Sequence, residues 1–130
     1  MIACKHTPFS KARRAYQLMS ACEIRHRTCM VTLAGEFDRA NVDALVGEIK
    51  PCLDSASSVL FDFGAVTFID GAVLSLLLDI LEEQGEGGWL GVARPRPWIE
   101  RILEIAGLTD KTTFRIFSTR KEALEAIDRG

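Results

Sequence analysis

The side chains best suited to nucleophilic or metal chemistry in this sequence are four cysteines, Cys4, Cys22, Cys29 and Cys52, and two histidines, His6 and His26. Thiolate and imidazole suit zinc, and Cys22, His26 and Cys29 lie close together in sequence. There is no C-x-x-C pair, so neither a zinc knuckle nor a thioredoxin-like redox motif is indicated. On one extended strand, Cys29 would also point away from Cys22 and His26. These cysteines therefore read as small apolar fillers, His26 as a surface residue, and the metal and cofactor expectation is none. Both histidines lie in the N-terminal region, before residue 27, and the loop at 71 and 72 carries Gly and Ala, so no nucleophile–base–acid set can be assembled and the expectation is a non-enzyme.

The bulk properties point the same way. At 130 residues the chain is one domain. With 48% hydrophobic and 26% charged residues it is apolar enough to fold without staples. A net charge of −2 argues against nucleic acid, whose binding rests on clustered Lys and Arg. The most apolar run, Ala72 to Leu81, is interrupted by Ser75 and Asp79 and is too short for a membrane span. The basic run Lys11 to Arg14 lacks an apolar segment behind it, so the expected location is cytoplasmic. Residues 1–20 read as an extension, flexible or one short helix through Phe9, Ala12, Tyr16 and Met19, and residues 21–130 as the folded domain.

Hydrophobic periodicity then places the elements. Ala21–Arg27 and Cys29–Gly35 are strand-like and close enough to form an antiparallel pair. Asp38 is positioned to cap a helix over Arg39–Leu53, with Val42, Leu45, Val46, Ile49 and Leu53 as its buried stripe. Val59–Phe63 reads as a buried central strand, with Asp62 as a polar exception that meets backbone donors. Asp70 caps a strongly apolar helix over Ala72–Glu83, which Gly85, Gly87 and Gly88 end. Trp89–Ala93 is a strand. Pro97 opens a helix anchored by Trp98 against the sheet, and Gly107 ends it. Thr113–Phe117 is the last strand, and Ser118 caps the last helix. The order β-β-α-β-α-β-α-β-α makes a single α/β domain with a mixed, mostly parallel sheet and an antiparallel edge strand.

Three segments in this order carry a resemblance: Val31-Thr32-Leu33-Ala34-Gly35-Glu36-Phe37-Asp38, Val59-Leu60-Phe61-Asp62-Phe63 and Val66-Thr67-Phe68-Ile69-Asp70-Gly71. With Ile102 to Leu108 and the tail Ser118 to Ile127, they make the chain similar to a STAS domain of the bacterial anti-sigma factor antagonists (anti-anti-sigma factors). The resemblance implies transcription regulation by protein–protein interaction. The partner is an anti-sigma factor or a serine kinase of that type, and the free protein a monomer or weak dimer. The implied docking residues are Asp38, Phe68, Asp70, Gly71, Ala72 and Val73. The family's loop pattern is Asp, Ser or Thr, Ser, Gly, Leu, with phosphorylation stopping docking. Here it reads Asp70, Gly71, Ala72, Val73, Leu74, so there is no phosphoacceptor at Gly71 or Ala72. Ser75 and Thr67 are the nearest hydroxyls, and both read as ordinary helix and strand-end residues. Two other roles of the family are the STAS subunit of a lipid-transport ATPase complex and a nucleotide-binding domain. For the latter, no phosphate-cradling glycine motif is present.

Overall fold

The computed structural model describes residues 19–129. The expected extension falls outside these residues except for Met19 and Ser20, which open the first strand; Cys4 and His6 also fall outside. The elements are β1 (Met19–Arg25), β2 (Thr28–Phe37), α1 (Val42–Asp54), β3 (Ser58–Ile69), α2 (Gly71–Glu82), β4 (Leu90–Ala93), α3 (Pro97–Ile105), β5 (Phe114–Phe117) and α4 (Arg120–Arg129). A single 3-10 turn, Leu108–Asp110, precedes β5. The sheet order is β1-β2-β3-β4-β5, with β1–β2 antiparallel and the other pairs parallel.

Each parallel crossover advances one strand in the same direction. A right-handed connection then puts α1, α2 and α3 on one face of the sheet. That face holds the larger core: Leu45, Ile49 and Cys52 of α1, Val73 and Leu77 of α2, and Ile99 and Leu103 of α3 meet Val59, Phe61 and Phe63 of β3. Phe61 and Phe63 touch edge to face at 6.2 Å. Among the described residues α4 alone covers the other face, burying Ala123 and Ile127 against Met30, Leu60, Trp89 and Ala93. β3 alternates between the two cores, as a central strand covered on both faces must.

The β1–β2 hairpin turns through His26 and Arg27, both left-handed at φ 48° and 66°. This is the pair of positive φ values that a two-residue type I′ turn demands, normally met by Asn-Gly. Replacing His26-Arg27 with Asn-Gly is expected to stabilise the fold by about 1 kcal/mol, read from urea unfolding midpoints. The hairpin also corrects the strand-geometry argument about the cysteines. Cys22 lies opposite Val31, and Cys29 opposite Ile24. Folding the strand back on itself therefore puts Cys22 and Cys29 on one face, inside the same core.

Four boundaries differ for local reasons. β2 continues past Gly35 to Phe37, because Gly35, at φ 101°, sits beside a register shift and forms a bulge where a strand end was expected. β3 likewise runs on to Ile69 through its own irregular pairing with β2. α1 starts at Val42 with Asn41 as its N-cap residue, three residues later than expected from Asp38. The Asp38 carboxylate instead accepts from the Ala40 N–H, an Asx-type turn ahead of the helix. At the C-terminal end the cap is Thr119, whose hydroxyl accepts from the Glu122 N–H, while the Glu122 carboxylate accepts from the Ser118 N–H. The cap lies one residue later than expected from Ser118, and Glu122 reaches back one residue beyond it.

Candidate functional site

Asp70 is the pivot of one end of the molecule. It follows β3 in extended conformation and caps α2, its Oδ1 accepting from the N–H groups of Ala72 at 2.9 Å and Val73 at 3.4 Å. Its Oδ2 accepts from the Arg39 N–H at 3.0 Å, which ties the β2–α1 loop to the head of α2. That loop is held in turn by Asn41, a buried side chain. Its Oδ1 accepts from the Asp38 N–H, and its Nδ2 donates to the Glu36 carbonyl. Asp70→Ala removes the cap and the loop tie together. An expected loss of about 1–2 kcal/mol, measured by thermal unfolding, follows from the usual worth of an N-cap plus one further bond.

The resemblance-derived positions separate on the structure. Phe68 is 40% exposed, Gly71 is exposed and Ala72 is half-buried, so these face outward around Asp70. Asp38 lies close by through the Arg39–Asp70 contact. Val73 turns inward at 3% exposure and gives its side chain to the core. A Cβ at Gly71 would have nothing within 4 Å, so the loop has room for a side chain there.

Trp98 differs from expectation. It is 41% exposed in the first turn of α3, where it packs on Phe68 with ring centroids 6.1 Å apart. Ile99 and Leu103 are the residues that anchor α3, because Pro97 at the start of the helix sets a phase that turns Trp98 outward. Arg96, the residue before that helix, donates from Nε to the Val66 carbonyl and so fixes α3 against the end of β3. The outward surface thus combines a capped helix N-terminus, which carries about half a positive charge, with a wet aromatic pair. Large exposed apolar side chains among the described residues are confined to Phe68, Trp98 and Ile105, the last at the other end of α3.

Asp62 was expected to meet backbone donors, and it does accept from the Gly64 N–H at 2.9 Å. Its main partners are two arginines that the sequence order conceals. Arg94 donates to it from Nε and Nη2, and Arg120 from Nη1 at 2.7 Å. Asp62 is 3% exposed and lies on the α4 face, so this cluster joins the middle of β3 and the end of β4 to the first residue of α4. Its carboxylate is saturated by these partners, which suits a structural clasp.

An open groove of about 500 Å³ lies between the C-terminal halves of α1 and α2, lined by Val46, Lys50, Leu76 and Ile80. It is at the far end of α2 from Asp70, and its rim carries Asp54, Asp79 and Glu83, which repel phosphate. Among the described residues, no cluster of three or more His, Cys, Asp or Glu is arranged to hold a metal ion. No helix among them is long and apolar enough to cross a membrane.

Five strands in this order, with three helices on one face and one on the other, define the class. The family model of the STAS domain matches residues 20–123, and the chain belongs to that family. Solved structures agree. An anti-sigma factor antagonist from Mycobacterium paratuberculosis is 27% identical, with a TM-score of 0.75 over 85% of this chain and 94% of that one. The anti-sigma factor antagonist SpoIIAA in its unphosphorylated form is 20% identical, with a TM-score of 0.64 over 89% of this chain and 99% of that one. The phosphorylated form of SpoIIAA, a Bacillus cell fate determinant, is 20% identical, with a TM-score of 0.62 over 87% and 99%. No curated protein matches the sequence. The protein is a STAS domain similar in structure to anti-sigma factor antagonists.

Proposed function

We propose that this protein acts as an anti-sigma factor antagonist. It docks on an anti-sigma factor, or a serine kinase of that type, through the Asp70–Gly71 loop and the head of α2. It does so without a phosphorylation switch at that loop. The observation that carries the reading is the exposed, Asp70-capped N-terminus of α2 beside the Phe68–Trp98 pair, with no hydroxyl at 71 or 72. SpoIIAA is known in a phosphorylated form, and a chain lacking the acceptor stays in the docking-competent state for as long as it is present. Control then passes to its abundance or to its partner. In this reading residues 1–20 extend a docking domain of residues 21–130, and the protein is a cytoplasmic regulator and not an enzyme.

Exposed aromatics that become buried on binding dominate interface energies. The variant Phe68→Ala/Trp98→Ala is therefore expected to bind the partner about 10- to 100-fold more weakly, at roughly 1.4–2.7 kcal/mol. The partner used is whichever anti-sigma factor or serine kinase of that type the wild-type chain is found to bind, and the readout is calorimetric titration. Unchanged affinity would remove the aromatic pair from the interface. Failure of the wild-type chain to bind any such kinase or anti-sigma factor would remove the function itself.

A further inference from the structure

Two of the core cysteines approach far more closely than packing requires. Cys22 in the middle of β1 and Cys52 near the end of α1 place their sulfurs 2.9 Å apart. That is only about 0.9 Å longer than a disulfide bond. The two residues are 30 positions apart in sequence and sit on different elements, yet both point into the gap between the edge strand and the helix that covers it. Cys29 on β2 is buried in the same core, diagonal to Cys22 across the hairpin.

We infer that Cys22 and Cys52 form a redox modification site, joined by a disulfide when the protein meets hydrogen peroxide. Cys22 lies on the edge strand β1 and Cys52 on the helix beneath it, so Cys22 is the one the oxidant reaches first when β1 opens. As thiolate it attacks one peroxide oxygen. The O–O bond breaks, hydroxide leaves and Cys22 becomes a sulfenic acid. The Cys52 sulfur then attacks the Cys22 sulfur, forming the S–S bond and expelling a second hydroxide. The two hydroxides take up the two thiol protons as water. Overall, two thiols lose two electrons and one peroxide is reduced to two waters.

Burial disfavours the thiolate and excludes solvent, so the reaction waits on brief opening of β1. β1 is an edge strand, hydrogen-bonded among the described residues to β2, so its opening breaks the pairing on one side. Closing the bond pins that strand to α1. The linkage constrains the unfolded chain, and oxidation raises thermal stability.

The test treats the full chain with hydrogen peroxide, then unfolds, alkylates and digests it with trypsin. Arg25, Arg27 and Arg39 separate Cys22, Cys29 and Cys52 into different peptides. The expected product is a Cys22–Cys52 linked pair that dithiothreitol splits. The melting temperature of the wild type rises on oxidation, and that of Cys52→Ala does not. Recovery of Cys22 and Cys52 as alkylated thiols, linkage of either to Cys29 or Cys4, or the same melting rise in Cys52→Ala would overturn the inference.

Discussion

Replacing Arg94 and Arg120 together with alanine is expected to lower the unfolding free energy by about 3 kcal/mol, measured by urea denaturation. The physical cause is Asp62, left as a buried carboxylate with only the Gly64 N–H as partner. Breaking a buried ion pair from one side costs about 3–5 kcal/mol. The low end applies because the departing side chains, themselves 45% and 44% exposed, open a route for water. The clasp also explains two local irregularities. Arg94 adopts φ 57°, uncommon outside glycine, and its guanidinium lies where a Cβ on residue 64 would stand, 2.4 Å from it. Gly64→Ala therefore displaces the Arg94 side chain. Because both substitutions break the same contact, Gly64→Ala and Arg94→Ala are expected to be strongly non-additive. The Arg25–Asp128 ion pair and the His26–Asp128 contact of α4 are exposed at the helix's far end and contribute little.

Gly71→Ser is the second large effect. The wild-type chain incubated with the partner kinase and ATP is expected to carry no phosphate at 71 or 72, while Gly71→Ser takes up one. Space is not limiting, since nothing lies within 4 Å of a Cβ there, and residue 71 is the exposed first residue of α2. The new phosphate would bring about −1.5 to −2 charges into the proposed contact surface. Docking is then expected to weaken about 100-fold, roughly 2.7 kcal/mol, because that charge must be desolvated or opposed at the interface. Mass spectrometry locates the phosphate and titration reads the loss. A kinase that binds Gly71→Ser tightly yet leaves it unmodified would contradict the loop geometry assumed here.

The fold was legible because the signals that specify it are local. Asp70 followed by an apolar helical run, three glycines closing that run, and Pro97 opening the next helix all act within a few residues. β3 reads as central because nearly every residue from Val59 to Phe63 is apolar. What escaped reading depends on contacts distant in sequence. The arginines on Asp62 come from 32 and 58 positions away. The outward phase of Trp98 depends on where α3 begins and how Arg96 holds its start, and amphipathicity alone does not reveal it. The shared face of Cys22 and Cys29 depends on the two-residue turn between their strands. At the candidate site, Asp70 and the missing hydroxyls were visible in the sequence. Phe68 was marked by the family resemblance, and its tilted packing on Trp98 required the tertiary structure.

The central claim is that the head of α2 and its aromatic neighbours form the docking surface. Hydrogen exchange of this protein, alone and with an anti-sigma factor or serine kinase that it binds, tests that most directly. The account predicts slowed exchange on binding over residues 68–76 and 97–102, with α4 and the groove between the C-terminal halves of α1 and α2 unchanged. Protection confined to that groove or to α4, with residues 68–76 exchanging as in the free protein, would contradict it.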